Sequence, residues 1–282
     1  MNNQQAILSF KFQIKHAWMV VGLFFAVTLA VTIPVFIADL IISKLSINSQ
    51  PLESWITVLS NIVTYAFLFF LINQIFGKST ISKPLFGDKR IDWTVYILLL
   101  LATLSIAIIL EPLNTLIVKL LPMPDWVEEI FSSAFTPSIA TFIMVAIIAP
   151  LCEEILLRGV ILRGLLNSSS PRKAIIWSAF LFALIHLNPW QGVFAFLIGL
   201  FLGWVYWKTR SIWTCIFIHF INNSLSFVGL VIAESKGLGV DATLEDITGE
   251  YFVSLFFVAA VLLIVSLGLL HKRYRLKKGI VP

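Results

Sequence analysis

The sequence predicts an all-α membrane protein, a single domain of about eight transmembrane helices around a polar cavity inside the membrane. Hydrophobic residues make up 59% of the chain and charged residues only 12%, with a mean hydropathy of +0.96. A soluble domain has roughly 45–50% apolar and about 25% charged residues. The apolar residues also form runs of the ~20 residues that a helix needs to cross a bilayer. Basic clusters and tryptophans separate these runs, as they do at the ends of membrane spans.

The eight apolar runs are separated by short polar segments. They are predicted to span the membrane at roughly 17–43, 54–76, 93–118, 137–166, 172–188, 190–207, 212–233 and 250–271. Pro112 predicts a break in the third span, because proline cannot donate a backbone hydrogen bond. Residues 122–135 predict a short interfacial helix, and the NSSSP segment at 167–171 predicts a turn. We therefore expect one integral membrane domain over residues 1–282.

Charge decides the expected orientation of these spans. Of the 20 lysines and arginines, only Lys44, Lys119 and Lys236 fall on the side of the membrane opposite the termini. The positive-inside rule therefore predicts that both termini are cytoplasmic, at the cell membrane if the protein is bacterial. The net charge of +5 is spread over short clusters between apolar runs, so we expect a lipid bilayer and no nucleic acid as partner. The sequence leaves the oligomeric state open.

Ionisable groups inside the spans are few, and each costs several kcal/mol to bury in lipid, so they are candidates for function. Asp39 and Glu111 lie near span ends, and we expect interfacial or structural roles for them. The remaining candidates all lie deeper within spans. They are Glu153, Glu154, Arg158, His186 and His219, together with the uncharged Asn222 and Asn223.

Helical spacing separates the two adjacent glutamates. Glu154 and Arg158 are four residues apart, share a helix face and are predicted to form an ion pair. Glu153 points about 100° away and has no partner on its own helix. A free carboxylate in such a position suits a general base. Pro150 cannot donate to the carbonyl of Ala146, so the helix is expected to be loosened beside the glutamates.

The histidines are placed at a compatible depth. Glu153 and His186 are almost equally far from the turn at 167–171, so they are expected at matching depth on adjacent antiparallel helices. His219 and Asn223 are four residues apart and share one face of a third span. From the residues alone, three interpretations stay open: catalysis or metal binding, a proton- or substrate-coupled transporter, and a structural polar cluster.

Three short segments carry a family resemblance. EEILLR, FALIH and HFINN occur in this order on separate spans between 153 and 223. They resemble the E-E-x-x-x-R, F-x-x-x-H and H-x-x-x-N/D motifs of the CAAX-processing and bacteriocin-processing family of intramembrane proteases, also called type II CAAX endopeptidases or the Abi family. Every motif position is filled. The motif residues are Glu153, Glu154, Arg158, Phe182, His186, His219 and Asn223.

This resemblance implies a catalytic core at 137–233 that hydrolyses peptide bonds inside a membrane cavity. Glu153, helped by His186, is implied to activate water. His219 and Asn223 are implied to stabilise the oxyanion that forms on the substrate. The expected substrate is a peptide or a prenylated or otherwise lipidated protein.

The resemblance implies structural roles for the other motif residues, Glu154, Arg158 and Phe182. Two alternatives to metal-free proteolysis remain. One is a membrane scaffold or regulator without catalysis, although an intact motif set argues against it. The other is a zinc-dependent version of the same protease.

A zinc site would be built from three helices. The chain has no H-E-x-x-H segment, which would place two histidines on one helix face for zinc. Glu153, His186 and His219 could still form a three-ligand site. Asn223 is a poor zinc ligand and a good oxyanion donor, so we expect no cofactor and keep zinc as the alternative.

Overall fold

The computed structural model describes residues 11–44, 50–77, 91–134, 136–239 and 242–276, and all regular structure in these ranges is helical. The helices are numbered in chain order. They are α1 (Ile14–Lys44), α2 (Gln50–Phe76), α3 (Trp93–Leu120), α4 (Asp125–Ala134), α5 (Ile139–Leu166), α6 (Pro171–Leu184), α7 (Pro189–Thr209), α8 (Ile212–Ser235), α9 (Leu244–Thr248) and α10 (Tyr251–Leu276). The all-α polytopic fold predicted from the composition is confirmed.

Seven helices in the described ranges are long and apolar enough to cross a membrane: α1, α2, α3, α5, α7, α8 and α10. Their bounds lie within a few residues of the predicted spans. The remaining predicted span corresponds to α6, which has only 14 residues. At about 1.5 Å per residue this is ~21 Å, shorter than a ~30 Å hydrocarbon layer.

Helix α6 is shorter than predicted because the chain turns at residues 185–188 rather than continuing as helix. Leu187 adopts a positive φ of 54°. Asn188 then caps α7, since its side chain accepts a hydrogen bond of 2.8 Å from the backbone of Gln191, and Pro189 occupies the first turn of α7. His186 therefore lies on this turn and not within a helix.

Helices α6 and α7 nevertheless form a close antiparallel hairpin. A Cβ added at Gly192 would lie 3.5 Å from the Ala183 carbonyl oxygen, and one added at Gly203 would lie 2.9 Å from Ile175 Cγ2. The start of α7 thus packs on the end of α6, and the end of α7 packs on its start. The hairpin leaves and returns at the same end of the bundle.

The break predicted at Pro112 is wrong. Helix α3 continues through Pro112 from Trp93 to Leu120. In lipid no water can satisfy backbone groups released by a broken helix, so a membrane helix tolerates an internal proline more readily than a soluble one. Asp39 was also expected to have an interfacial or structural role near a span end. Its side chain lies outside the described residues.

Opposite ends of the bundle carry opposite charge. The end formed by the start of α1 and α3 and by the end of α10, here called the basic end, is tied by an ion pair of 2.7 Å between Arg273 and Asp92. The described basic residues at this end are Lys11, Lys15, Arg163, Arg172, Lys173, Lys208, Arg210, Lys272 and Arg273. Arg158 does not join them, although the topology prediction counted it there, because its side chain is fully buried inside the bundle.

At the other end, here called the acidic end, Lys119 and Lys236 are the only cations whose side chains the structure describes. The described acidic residues at this end lie in the segments that connect the long helices, or on the last turn of α8. They are Asp125, Glu128, Glu129, Glu234, Glu245, Asp246 and Glu250. The predicted interfacial helix is present here as α4, which begins after Pro122 and Pro124. It is amphipathic, with Val127 buried and Glu129 exposed.

Candidate active site

The two glutamates lie on a short α-helical stretch between two π-helical stretches of α5. The α-helical stretch is Ala149–Glu154, and π-helix precedes it at Ile143–Ile148 and follows it at Ile155–Leu162. In π-helix the backbone N–H bonds the carbonyl five residues earlier, and such segments are frequent at functional sites. The N–H of Ala149 bonds the Met144 carbonyl in this register.

Proline explains where the first π-helical stretch loses a hydrogen bond. The i→i+5 register pairs the Val145 carbonyl with the nitrogen of residue 150, and Pro150 has no N–H. Asn223 Nδ2 of α8 donates to the Val145 oxygen instead, at 2.9 Å. The carbonyl affected by Pro150 is therefore that of Val145, and not that of Ala146 as α-helical spacing predicted. Asn223 ties α8 to α5 at this point.

Glu154 and Arg158 form a fully buried ion pair. Arg158 Nη1 lies 2.8 Å from Glu154 Oε1, and both side chains have no solvent exposure. Arg158 Nη2 donates to the carbonyl of Gly199 on α7 at 3.2 Å. Its guanidinium carbon lies 4.9 Å from the ring centroid of Phe182, a cation–π contact. The pair thus joins α5 to both helices of the α6–α7 hairpin.

His219 bridges the two glutamates. Its Nδ1 lies 2.9 Å from Glu154 Oε1, which is hydrogen-bonding distance, and its Nε2 lies 3.7 Å from Glu153 Oε2. Since an ionised carboxylate only accepts hydrogen bonds, Nδ1 of His219 carries the proton that it donates to Glu154. This bond fixes the orientation of the imidazole, and Nε2 faces Glu153.

Phe182 packs between the two histidines. Its ring lies at 5.1 Å from that of His186 and at 5.4 Å from that of His219, both in edge-to-face arrangement. The backbone carbonyl of Phe182 lies 2.8 Å from His186 Nδ1. This carbonyl can only accept, so Nδ1 of His186 carries a proton and Nε2 is the nitrogen left for other partners.

These groups border a cavity of about 460 Å³. Glu153, whose side chain is 15% exposed, lines it together with His186, His219 and Asn223. Glu154, in contrast, is fully buried behind His219. Apolar residues form most of the remaining wall. They include Ile106, Ala107, Leu110, Phe194, Phe227 and Leu230.

The predicted site residues are therefore brought to one place, with one predicted contact missing. Glu153, His186, His219 and Asn223 all line the cavity. Among the described residues, however, no hydrogen bond or ion pair joins His186 to Glu153. Also among the described residues, no three His, Cys, Asp or Glu side chains are grouped so that they could hold a metal ion. Zinc held by Glu153, His186 and His219 stays the alternative.

Two residues of the site were missed or underrated from sequence. Gly199 accepts the hydrogen bond from Arg158, and a Cβ there would lie 3.1 Å from Ala179 and 3.2 Å from Phe182. The signal was present as GLFLG, a pair of glycines four residues apart, which in membrane helices marks close helix packing. Glu111 lines the cavity, and its carboxylate also accepts a hydrogen bond of 2.7 Å from the backbone of Leu244.

Comparison with known protein families finds a match to the central part of the chain. Residues 135–225 match the family described as type II CAAX prenyl endopeptidase Rce1-like. This segment therefore resembles that family. The matched segment is about a third of the chain and contains all the motif residues, so the family resemblance predicted from the three motifs is confirmed. The match to this family, together with the seven long apolar helices, supports a membrane protease. None of the curated proteins and none of the solved structures compared with the chain matches it.

Proposed function

We propose that this Rce1-like protein is an intramembrane endopeptidase in which Glu153 is the base that activates water. One observation carries the proposal. Of the two adjacent glutamates, Glu154 forms a buried ion pair with Arg158, whereas Glu153 lines the cavity. A general base must reach a water beside the substrate, and only Glu153 of the pair has access to that space.

In the proposed reaction, Glu153 takes a proton from a water molecule as the water oxygen bonds to the scissile carbonyl carbon. The carbonyl oxygen gains the negative charge. The proton then passes from Glu153 to the amide nitrogen as the C–N bond breaks, which leaves a new carboxyl terminus and a new amino terminus. His186 assists at this water through Nε2, since its Nδ1 is held by the Phe182 carbonyl.

His219 and Asn223 are proposed to stabilise the oxyanion. Donors that are fixed before the reaction, in a site of low dielectric, serve this role best. Glu154 fixes the His219 ring through Nδ1. For Nε2 to donate to the oxyanion, this nitrogen must also be protonated. The ring is then a cation that lies between the carboxylates of Glu153 and Glu154. Asn223 uses one amide hydrogen on the Val145 carbonyl, and its second hydrogen is the one proposed for the oxyanion.

The proposed orientation places both termini in the cytoplasm. It is supported by the accumulation of described cations at the basic end, which holds the start of α1 and the end of α10. It is also supported by α6, which packs antiparallel along α7 and so restores the even number of passes that the seven long helices lack. A reporter fused after residue 282 should lie in the cytoplasm, and one inserted at 240–241 should lie outside. Finding both on one side would contradict this orientation.

The proposed activity is tested by comparing all the cleavage products in whole membranes, so the natural substrate need not be identified first. Membranes are prepared from cells that express the wild type, Glu153→Gln or the exposed-site control Glu250→Gln. New peptide termini in these membranes are identified by mass spectrometry and compared. We expect a set of termini that the wild type and Glu250→Gln produce and that Glu153→Gln does not. Membranes from cells without the protein give the background. Termini that all three proteins produce above this background would refute Glu153 as the base, whereas no termini above it from the wild type, at equal expression, would refute the protease and favour the scaffold.

A further inference from the structure

The cavity occupies only one half of the helix bundle. Helices α3 and α8 run in parallel, since Tyr96 and Phe217 near their starts are in ring contact at 5.2 Å. The cavity is lined by the second half of α3, from Ile106 to Val118, and by α8 from His219 to Leu230. On the antiparallel α7 it is lined by the first half, from Trp190 to Ile198. All three sets lie toward the acidic end.

The rim of the cavity consists of segments beyond the helix ends at that same end. Met123, Phe131 of α4 and Ala242 all line it. Trp190 Nε1 donates to the Leu121 carbonyl at 2.8 Å, which joins the end of α3 to the start of α7 at this level.

Toward the basic end the site is closed by packed side chains. Between Glu153 and the basic end lie the buried Glu154–Arg158 pair and a layer of apolar residues with no solvent exposure. This layer includes Leu157, Ile161, Leu202 and Ile218. A substrate can therefore reach Glu153 from the acidic end and not from the basic end.

The distribution of charge places the mouth relative to the cell. The basic end holds nine of the twelve lysines and arginines whose side chains the structure describes, and the positive-inside rule assigns such an end to the cytoplasm. We infer that the cavity opens on the non-cytoplasmic side, and that its substrates are membrane-anchored or exported peptides cut in the outer half of the membrane. This inference rests on the proposed protease function. The apolar wall, with Ile106, Leu110 and Phe227, suits an uncharged, apolar stretch around the scissile bond.

The orientation of the mouth is tested by cysteine labelling, which needs no activity. Glu245→Cys is placed at the acidic end, Asn167→Cys at the basic end, and the wild type, with Cys152 and Cys215, reports background labelling. In sealed right-side-out vesicles, a membrane-impermeant maleimide should label Glu245→Cys at once. It should label Asn167→Cys only after the vesicles are opened. The reverse pattern would overturn the inference.

The substrate class is tested with two matched reporters. Each carries the same randomised apolar stretch on one transmembrane anchor, placed at the outer end in one reporter and at the inner end in the other. We expect wild type to cut only the outer reporter and Glu153→Gln to cut neither. Cleavage of the inner reporter alone would overturn the inference and leave the protease function standing. A wild type that cuts neither reporter, although folded and labelled as expected, would overturn both.

Discussion

Replacing Glu154 by glutamine should destabilise the protein, whereas the same change at its neighbour Glu153 should not. Glutamine keeps the shape and an acceptor oxygen but removes the negative charge. At residue 154 this leaves the Arg158 guanidinium buried without a counter-charge, with the Gly199 carbonyl and the Phe182 ring as its remaining partners. At residue 153 the change affects a partly exposed group in the cavity wall.

The magnitude follows from the geometry of each carboxylate. Breaking a buried ion pair by removing one partner costs about 3–5 kcal/mol, and the 2.8 Å contact between Glu154 and Arg158 has no solvent exposure. Within the described residues Glu154 Oε2 and Arg158 Nε have no hydrogen-bond partner to compensate. Glu153 is 3.7 Å from His219, beyond hydrogen-bonding distance, so Glu153→Gln should change the free energy of unfolding by less than ~1 kcal/mol.

The assay is reversible unfolding in mixed micelles with increasing SDS, followed by the fluorescence of the nine tryptophans. Glu250→Gln, at an exposed position just before α10, is the matched control and should unfold with the wild type. Activity is measured on the same preparations, and Glu153→Gln should be inactive while folded. A Glu154→Gln protein as stable as the wild type, or an active Glu153→Gln protein, would refute the assignment of the two carboxylates.

Three further predictions address the oxyanion donor, the helix packing and the basic end. His219→Ala should lower the catalytic rate by about 10²–10³, the usual loss for one oxyanion donor, and chelation of the wild type should not reduce activity; bound zinc lost together with activity in this variant would support the metalloprotease. Gly199→Ala should destabilise by about 1–3 kcal/mol because its Cβ meets backbone at 3.1 Å, while Gly229→Ala, with open space around it, should not. Hydrogen bonds to Asp92 lower its pKa from 3.8 to about 2; the one from a backbone N–H at the start of α3 has the largest effect, and the one from Arg273 the next largest. The charge of Asp92 therefore stabilises the fold above pH ~4, and the difference in thermal stability between wild type and Asp92→Asn should vanish as the pH falls toward 2; a difference that does not change over this range would contradict the assignment.

Sequence spacing predicted the contacts that lie within one helix and missed those that depend on a second helix. The i,i+4 rule found the Glu154–Arg158 pair and the separate direction of Glu153. It could not find that His219 bonds Glu154, because that contact depends on the approach of α8 to α5. It also gave Pro150 the wrong carbonyl, since the rule assumes α-helix and α5 is π-helical on both sides of the glutamates.

Matching depth was a weaker guide than helix face. It placed Glu153 and His186 on facing helices, whereas His186 lies on the turn after α6 and bonds the Phe182 carbonyl. The stop signal, Asn188 followed by Pro189, was present in the sequence and ended the predicted span at 188. The helix itself ends at Leu184, because the turn that leads to this cap already includes Ile185, His186 and Leu187.

Asn223 combines two roles that a double variant separates. Its amide replaces the N–H that Pro150 lacks, so Asn223→Ala should leave the Val145 carbonyl without a partner and cost ~1–3 kcal/mol. Pro150→Ala returns a backbone N–H to the position that this carbonyl faces in the π-helical register. The double variant should therefore be more stable than the two single changes predict by addition, a coupling that unfolding in SDS measures directly. Its activity should remain low, because the backbone N–H satisfies Val145 but offers no donor to the oxyanion. If stability and activity both return in the double variant, Asn223 acts only by holding α5. His219 would then be the oxyanion donor without help from Asn223.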